Sequence, residues 1–184
     1  MPLQKTTPDE IIKHSIQVFR EKGYYRTSMS DLARSTGLTK GVFYHHFQSK
    51  EEVMIKSLNA TRQWFDHKIF SISYDESILP EQRLNDMMEV LYTGFTRYSG
   101  GCFFANTVLE TAHVEDTFMD EINGFFKSFE NALRNIYKSA YMEKELDNVI
   151  QQIIADIEGT IILMQLRKDP GLLKTSLKRA IKLL

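Results

Sequence analysis

Apolar residues recur at helical spacing along almost the whole chain, and the alternation typical of strands is nowhere convincing. Near the N-terminus, Ile12, Ile16 and Phe19 form one stripe between a capping sequence at Thr7–Glu10 and a helix-ending Gly23. Similar start and stop signals follow at intervals that suit helices. The sequence therefore predicts an all-α fold.

The helices fall into two groups. Three short ones precede residue 48, and Ser49–Glu52 is a capping box for a long fourth helix that ends near residue 70, before a loop at 71–80. Five further helices are predicted at about 81–98, 103–113, 116–140, 144–168 and 170–183. We predict two domains: a three-helix head with a helix-turn-helix at residues 1–48, and a six-helix body at residues 49–184.

The formal net charge of -1 hides an uneven distribution. Up to Arg62 the chain has 10 lysines and arginines against 6 acidic residues, whereas the remainder has 13 against 18. A basic N-terminal part joined to an acidic body is typical of a protein that binds a polyanion with its basic part. The charge pattern thus favours nucleic acid as a partner of the head, although ordinary solvated surfaces also produce such differences.

Cysteine use and hydropathy indicate the compartment. The single cysteine, Cys102, cannot form an internal disulfide, which fits a reducing cytoplasm. The N-terminal sequence lacks the apolar stretch of a secretion signal, and no segment approaches about 20 uninterrupted apolar residues. We expect a cytoplasmic protein with no membrane span.

The second and third helices, separated by a turn at Gly37, have the arrangement of a helix-turn-helix. A step of about 100° per residue gives the third helix a polar and aromatic side and a packing side. The first side carries Lys40, Gly41, Tyr44 and His45, and the second carries Phe43, His46 and Phe47. By pattern alone, two packed core helices remain as plausible as a DNA-contacting pair.

A longer run of residues resolves that choice. Thr27-Ser28-Met29-Ser30-Asp31-Leu32-Ala33, followed by Gly37–Phe47 and Ser49–Glu52, resembles the DNA-binding head of the TetR family over about residues 8–55. The resemblance implies that this protein binds operator DNA. The implied phosphate contacts are Thr27, Ser28, Tyr44 and Lys50, and the residues implied at or near base edges are Thr39, Lys40, Gly41, Val42 and His45.

The last two helices are candidates for a subunit interface. The helix at 144–168 is apolar over more than one face, which exceeds what packing on a single core requires, and the helix at 170–183 adds five leucines and isoleucines. The alternative to a subunit interface is that both helices lie in the centre of the core. The resemblance implies a homodimer through these two helices, with two heads over a pseudo-palindromic operator.

The fifth, sixth and seventh helices are rich in aromatic and soft side chains, which fill cores or line adaptable pockets. The resemblance implies a pocket for an unidentified effector, small and apolar or amphipathic, whose binding moves the fourth helix and releases a repressor from DNA. The candidate ligand-binding residues are Met88, Leu91, Tyr92, Phe95, Phe103, Phe104, Phe125, Phe126 and Phe129.

Two further features of the sequence suggest a reactive thiol and a metal site. Cys102 at the start of the sixth helix is either a reactive thiol or a small apolar filler. Glu110-x-x-His113 has the spacing of half a di-iron site, but a second copy is absent from the sequence. We therefore predict no catalytic residues, metal or cofactor; the alternatives are a helical-bundle metal-dependent enzyme and an architectural DNA-binding protein without a ligand.

Overall fold

The computed structural model describes residues 7–97 and 100–184, and within these ranges it contains nine α-helices, one 3₁₀ helix and no strand. The all-α prediction is confirmed. The helices are α1 (Pro8–Lys22), α2 (Met29–Ser35), α3 (Lys40–His46), α4 (Lys50–Lys68), α5 (Pro80–Arg97), α6 (Phe103–Thr111), α7 (Met119–Tyr137), α8 (Glu143–Arg167) and α9 (Gly171–Ile181).

Local capping explains why the first helices begin where they do. The Thr7 hydroxyl accepts from the Glu10 amide at 3.3 Å, while the Glu10 carboxylate accepts from the Thr7 amide at 2.8 Å. Ser28 and Asp31 form the same reciprocal pair at the start of α2. Each box satisfies amides that a helix start otherwise leaves unpaired, so these boundaries follow from sequence.

The predicted loop at 71–80 is wrong in its first part, because Phe70–Tyr74 forms a 3₁₀ helix. Its serines turn their hydroxyls back onto the chain, as Ser73 does onto the Phe70 carbonyl at 2.7 Å. The Ser73 carbonyl in turn accepts from the Arg83 guanidinium at 2.6 Å and from the Asn135 amide at 2.7 Å. These bonds from distant residues hold a short serine-rich segment in a helical turn.

The chain divides into two compact units. The first unit comprises the residues up to Arg62 together with Phe103–Ile122, and the second comprises Gln63–Cys102 and Asn123–Leu184. Thus α6 belongs to the same unit as the predicted head, and α4 begins in the first unit and ends in the second. The functional boundary at residue 48 stays a prediction, but the packing boundary lies elsewhere.

Each unit has its own apolar core. In the first, the fully buried side chains include Ile11, Leu32, Phe43, Phe47, Val53, Leu58, Phe104 and Phe118. In the second, they include Ile69, Leu84, Met87, Phe125, Leu133, Tyr137 and Leu173. The Tyr137 hydroxyl donates to the Ala180 carbonyl at 2.6 Å, so this large buried side chain leaves no polar atom unpaired.

Candidate nucleic-acid interface

The short helix α3 is held by its apolar side. Phe43 is 0% exposed and Phe47 is 2% exposed, and their rings lie 5.8 Å apart. The helix begins at the Thr39 cap, whose hydroxyl accepts from the Val42 amide, directly after the turn at Gly37 with its positive φ of 71°. Anchoring by two phenylalanines fixes which side of α3 points outward.

That outward side carries the residues predicted to meet DNA. Thr39, Lys40, Gly41 and His45 are exposed, as is Tyr44, whose exposed fraction is 43%. Because Gly41 lacks a Cβ and nothing lies within 4 Å of where one would be, the backbone is open to close approach there.

Two neighbouring side chains on α3 add to this surface. The Lys40 ammonium lies 5.9 Å from the centroid of the Tyr44 ring, within the range of a cation–π contact. Val42 is an apolar side chain that is 42% exposed. A lysine, a tyrosine and a valine exposed together on a helix of seven residues form a surface that packing inside the chain does not explain.

The residues predicted at the start of α2 lie in different environments. Ser28 is exposed, and its hydroxyl donates to the Asp31 carboxylate at 2.7 Å. Thr27 is 2% exposed, and its hydroxyl and amide donate to the carbonyls of Gly23 and Tyr24. Thr27 therefore stabilises the turn before α2 and does not present its donors to a phosphate.

Lys50, predicted to contact a phosphate, is bound inside the first unit. Its ammonium donates to the Tyr24 carbonyl at 2.8 Å and lies 4.1 Å from the centroid of the Tyr24 ring. Burial lowers the pKa of Lys50, and the carboxylates of Glu110 and Glu115 partly offset this change. The structure thus gives Lys50 a role in holding the turn after α1.

The same turn is also held by the carboxylate of Glu110, a residue that stands out in the sequence only for its Glu-x-x-His spacing. The two Glu110 oxygens accept separately from the backbone amides of Tyr24 and Tyr25, each at 2.8 Å. The Tyr25 hydroxyl donates to Glu115 at 3.0 Å. Sequence gave no signal for these contacts, because 86 residues separate Tyr24 from Glu110.

Tyr24 is the centre of this arrangement. Its ring is 8% exposed and packs edge-on against Phe118, with the ring centroids 4.7 Å apart. Burial, followed by the charges of Glu115 and Glu51, raises the pKa of Tyr24 to about 12. We call Glu110, Glu115, Lys50 and Phe118, which together hold Tyr24 and Tyr25, the turn clamp.

The candidate ligand-binding residues are divided between the units. Phe103 and Phe104 belong to the first unit, and both are buried. In the second unit Tyr92 and Phe126 are half-buried. The remaining five in that unit, Met88, Leu91, Phe95, Phe125 and Phe129, are buried.

Two residues outside the predicted set complete an aromatic cluster in the second unit. The Phe65 ring lies edge-on to Phe125 at 5.1 Å and tilted towards Phe95 at 6.2 Å. Phe70 stacks on Phe129 with the centroids 5.2 Å apart. We call Phe65, Phe70, Phe95, Phe125, Phe126 and Phe129 the aromatic cluster. Phe65 lies on α4 and Phe70 begins the 3₁₀ helix, whereas the prediction took its aromatic residues from the fifth to seventh helices.

The residues weighed for other chemistry have structural partners. Cys102 is 3% exposed and its side chain is hydrogen-bonded to Glu158, whose pKa burial raises to about 7. Glu110 is engaged by two backbone amides. Within 7–97 and 100–184, no group of three or more His, Cys, Asp or Glu side chains is placed to hold a metal ion.

The eighth helix exposes an apolar stripe. Ile162 is 56% exposed, Leu163 41% and Leu166 76%, while Ala155 and Gly159 lie exposed on the same side one to two turns earlier. By length and composition alone, α8 is long and apolar enough to cross a membrane. However, it also carries Asp156, whose carboxylate pairs with Arg179 at 2.6 Å.

Comparison with known proteins agrees with this geometry. The family model described as bacterial regulatory proteins of the tetR family matches residues 11–56, which contain α2 and α3. A second model, described as the tetracyclin repressor-like C-terminal domain, matches residues 80–180 and so covers more than half of the chain. The chain belongs to the TetR family. This TetR-family protein is accordingly a helix-turn-helix DNA-binding regulator of transcription.

Similar proteins extend over most of the chain. An uncharacterized HTH-type transcriptional regulator in the lacX 3' region of Lactococcus lactis is 26% identical over 178 residues, which are 94% of this chain and 90% of that protein. The HTH-type transcriptional repressor DhaR of Mycobacterium sp. strain GP1 is 25% identical over 86% of this chain and 82% of its own length.

A solved structure shows the same fold. The crystal structure of a TetR transcriptional regulator from Legionella pneumophila superposes with a TM-score of 0.87 at 17% identity, and covers 99% of this chain and 98% of that chain.

Proposed function

We propose that this TetR-family regulator is a homodimeric, ligand-responsive repressor that is released from a pseudo-palindromic operator by a small apolar or amphipathic effector. The observation that carries the DNA-binding part is the outward side of α3, where Lys40, Val42, Tyr44 and His45 are exposed while Phe43 and Phe47 anchor the helix. A protein that binds operator DNA acts in the cytoplasm, where the bacterial chromosome lies.

The proposed contacts follow from exposure and charge. Thr39, Lys40, Gly41, Val42 and His45 meet base edges, and Ser28 and Tyr44 meet phosphates. Thr27 supports the turn behind them, because its hydroxyl is bound to the Gly23 carbonyl. Lys50 supports the same turn through one ammonium bond to the Tyr24 carbonyl. Val42 offers a methyl-rich surface that suits a thymine methyl group, and Lys40 suits guanine.

We propose α8 as the main dimer surface, because its exposed stripe is apolar and includes the small residues Ala155 and Gly159, which let a second helix approach closely. The outer side of α9 contributes differently. Leu173 and Leu177 are buried within the second unit, whereas Lys174, Lys178 and Lys182 are exposed. The α9 helix thus supplies the charged margin of the seam.

The effector site proposed in the second unit is the aromatic cluster together with Met88, Leu91 and Tyr92. Aromatic rings and methionines adapt their packing to an apolar guest. The half-buried Tyr92 supplies the polar end that an amphipathic molecule requires. Since α4 belongs to both units, we propose that effector binding is transmitted along α4 to α3.

Selection from a random-sequence duplex library tests the DNA-binding part. We expect the purified protein to enrich sequences with two related halves whose centres lie about one helical turn apart or somewhat more. Enrichment of a single half-site would contradict the dimeric arrangement, and no enrichment would contradict operator binding altogether. The second outcome is the one expected for an architectural DNA-binding protein.

A charged substitution tests the dimer surface. Leu166→Glu places a carboxylate on the most exposed residue of the stripe and should convert the protein to monomers in sedimentation experiments, with weaker binding to the two-half-site duplex. Leu79→Glu is the matched control, since Leu79 is equally exposed, at 76%, but lies outside α8. Equal effects of both variants, or none from Leu166→Glu, would contradict the α8 interface.

A further inference from the structure

The turn between α1 and α2 is bound by a residue from a distant helix of the same unit. Glu110 of α6 accepts from the backbone amides of Tyr24 and Tyr25, and charge-assisted bonds of this kind are stronger than neutral ones. Because Glu110 uses one oxygen for each amide, the carboxylate holds two consecutive peptide planes, Gly23–Tyr24 and Tyr24–Tyr25.

The backbone at Gly23 is shaped for this contact. Gly23 has a positive φ of 78°, and a Cβ at this position would lie 2.6 Å from a Glu110 oxygen. A side chain here is therefore strained by the backbone and blocked by the carboxylate. Gly23 allows the end of α1 and the end of α6 to meet at hydrogen-bonding distance.

The turn is connected onward to the DNA-contacting helices. Thr27, directly before the cap of α2, donates to the Gly23 carbonyl at 2.6 Å. Lys22 at the end of α1 pairs with Asp31 of α2 at 2.8 Å, and Asp31 also caps α2. Because α2 packs against both α1 and α3, the turn is connected to α3 through α2.

We infer that Glu110 is a positioning residue for operator binding, which acts through the Tyr24–Tyr25 turn to set the orientation in which α3 meets DNA. The inference rests on the proposed function, because it concerns the same α3 surface. In this inference α6 orients the helix-turn-helix through the bonds from Glu110 to the turn before α2. Glu110 itself does not touch DNA.

The direction in which DNA affinity changes when Glu110 is removed separates a positioning role from a simple charge effect. Removing a negative charge from a unit that binds a polyanion should strengthen binding to all DNA. If Glu110 positions α3, its removal instead weakens binding to the selected operator and leaves binding to unrelated DNA unchanged or slightly tighter. The ratio of the two affinities therefore measures positioning.

The experiment compares Glu110→Gln with Glu115→Gln in the full-length protein. Both variants remove one carboxylate from the turn clamp, but only Glu110 accepts from backbone amides, since Glu115 accepts from the Tyr25 hydroxyl. The probes are the duplex that the wild-type protein enriches from a random library and a scrambled duplex of equal length and composition. For Glu110→Gln we expect the affinity ratio to fall about tenfold, as losing one charge-assisted bond implies, and for Glu115→Gln to stay within about twofold.

Amide exchange measured by NMR supplies an independent readout. In Glu110→Gln, the Tyr24 and Tyr25 amides should exchange faster than in the wild type, while the interior amides of α1 and α2 keep their protection. A variant that is merely less folded loses affinity for both duplexes equally, and that result would overturn the proposal.

If the wild-type protein selects an operator and Glu110→Gln leaves the affinity ratio unchanged, the positioning role is overturned. The proposed function then remains intact. A wild-type protein that selects no operator overturns both.

Discussion

The outward side of α3 and the aromatic cluster of the second unit use similar residue types in opposite ways. On α3, Val42 and Tyr44 are both more than 40% exposed, whereas in the cluster Phe125 and Phe129 are at most 2% exposed. The α3 surface therefore forgoes the stabilisation that burial of these apolar and aromatic groups would supply.

The difference shows what composition can and cannot establish. Single exposed apolar side chains are common on protein surfaces, but Val42 and Tyr44 stand beside Lys40 on the outward side of a helix-turn-helix, where a DNA partner is expected. Buried aromatic side chains are explained by packing alone, so the aromatic cluster becomes a binding site only if a ligand competes with that packing. The DNA surface is thus the more directly supported of the two proposed sites.

The largest expected effect contrasts one aromatic residue from each region. Phe129→Ala should lower the free energy of unfolding by about 3–5 kcal/mol, because it empties a buried position stacked on Phe70. Tyr44→Ala should cost less than about 1 kcal/mol but weaken operator binding, since the ring is already in water. Urea denaturation of both variants measures the difference. A small loss for Phe129→Ala would indicate open space beside the ring and would favour the cluster as a pocket.

The next effect tests the partly buried carboxyl group of Glu158 in the second unit. Burial raises the pKa of Glu158 to about 7, so the folded state binds a proton more tightly than the unfolded state and stability falls between about pH 5 and pH 7. At pH 8, Glu158→Gln should be more stable than the wild type by about 2 kcal/mol, and at pH 4 the two should be equal. Thermal unfolding across this range is the measurement.

Asp156 on the same helix is the matched control for Glu158. The hydrogen bonds from Arg179 and Ser176 lower the pKa of Asp156, with the arginine contributing most, so its contribution to stability is present at neutral pH and lost in acid. Asp156→Asn should therefore destabilise at pH 7 and converge with the wild type as the pH falls. Parallel pH profiles for the two variants would show that the environments assigned to these carboxyls are wrong.

The smallest effect distinguishes two lysines of the first unit. Lys40→Met should weaken binding to the selected duplex more than binding to a scrambled duplex, because Lys40 is proposed to meet a base edge. Lys50→Met should weaken binding to both duplexes without changing the slope of affinity against salt, because its ammonium is bound to Tyr24. A slope reduced by about one in Lys50→Met would restore Lys50 as a phosphate contact.

Much of the fold is predictable because its signals are local. The capping pairs at Thr7–Glu10 and Ser28–Asp31 lie three residues apart and fix helix starts whatever the rest of the chain does. The outward side of α3 follows from the same short-range geometry, since Phe43 and Phe47 determine which side is buried. Family resemblance then supplied the DNA-binding role of that side.

The parts that sequence did not predict depend on distant contacts. The 3₁₀ helix at Phe70–Tyr74 is held by Arg83 and Asn135, and Glu110 of the turn clamp lies 85 or more positions from the tyrosines whose amides it binds. The contact of Glu110 with the turn could not be predicted for the same reason: a Glu-x-x-His spacing describes one helix face and does not reveal which partner that face meets.

The exposed stripe on α8 also has a consequence for handling the protein. If a second copy covers Ile162 and Leu166, each subunit gains part of its stability from the other, and the melting temperature rises with protein concentration. Dilution then acts on this regulator as a mild denaturant. The temperature up to which it stays folded in the cell would then depend on the number of copies as well as on the sequence.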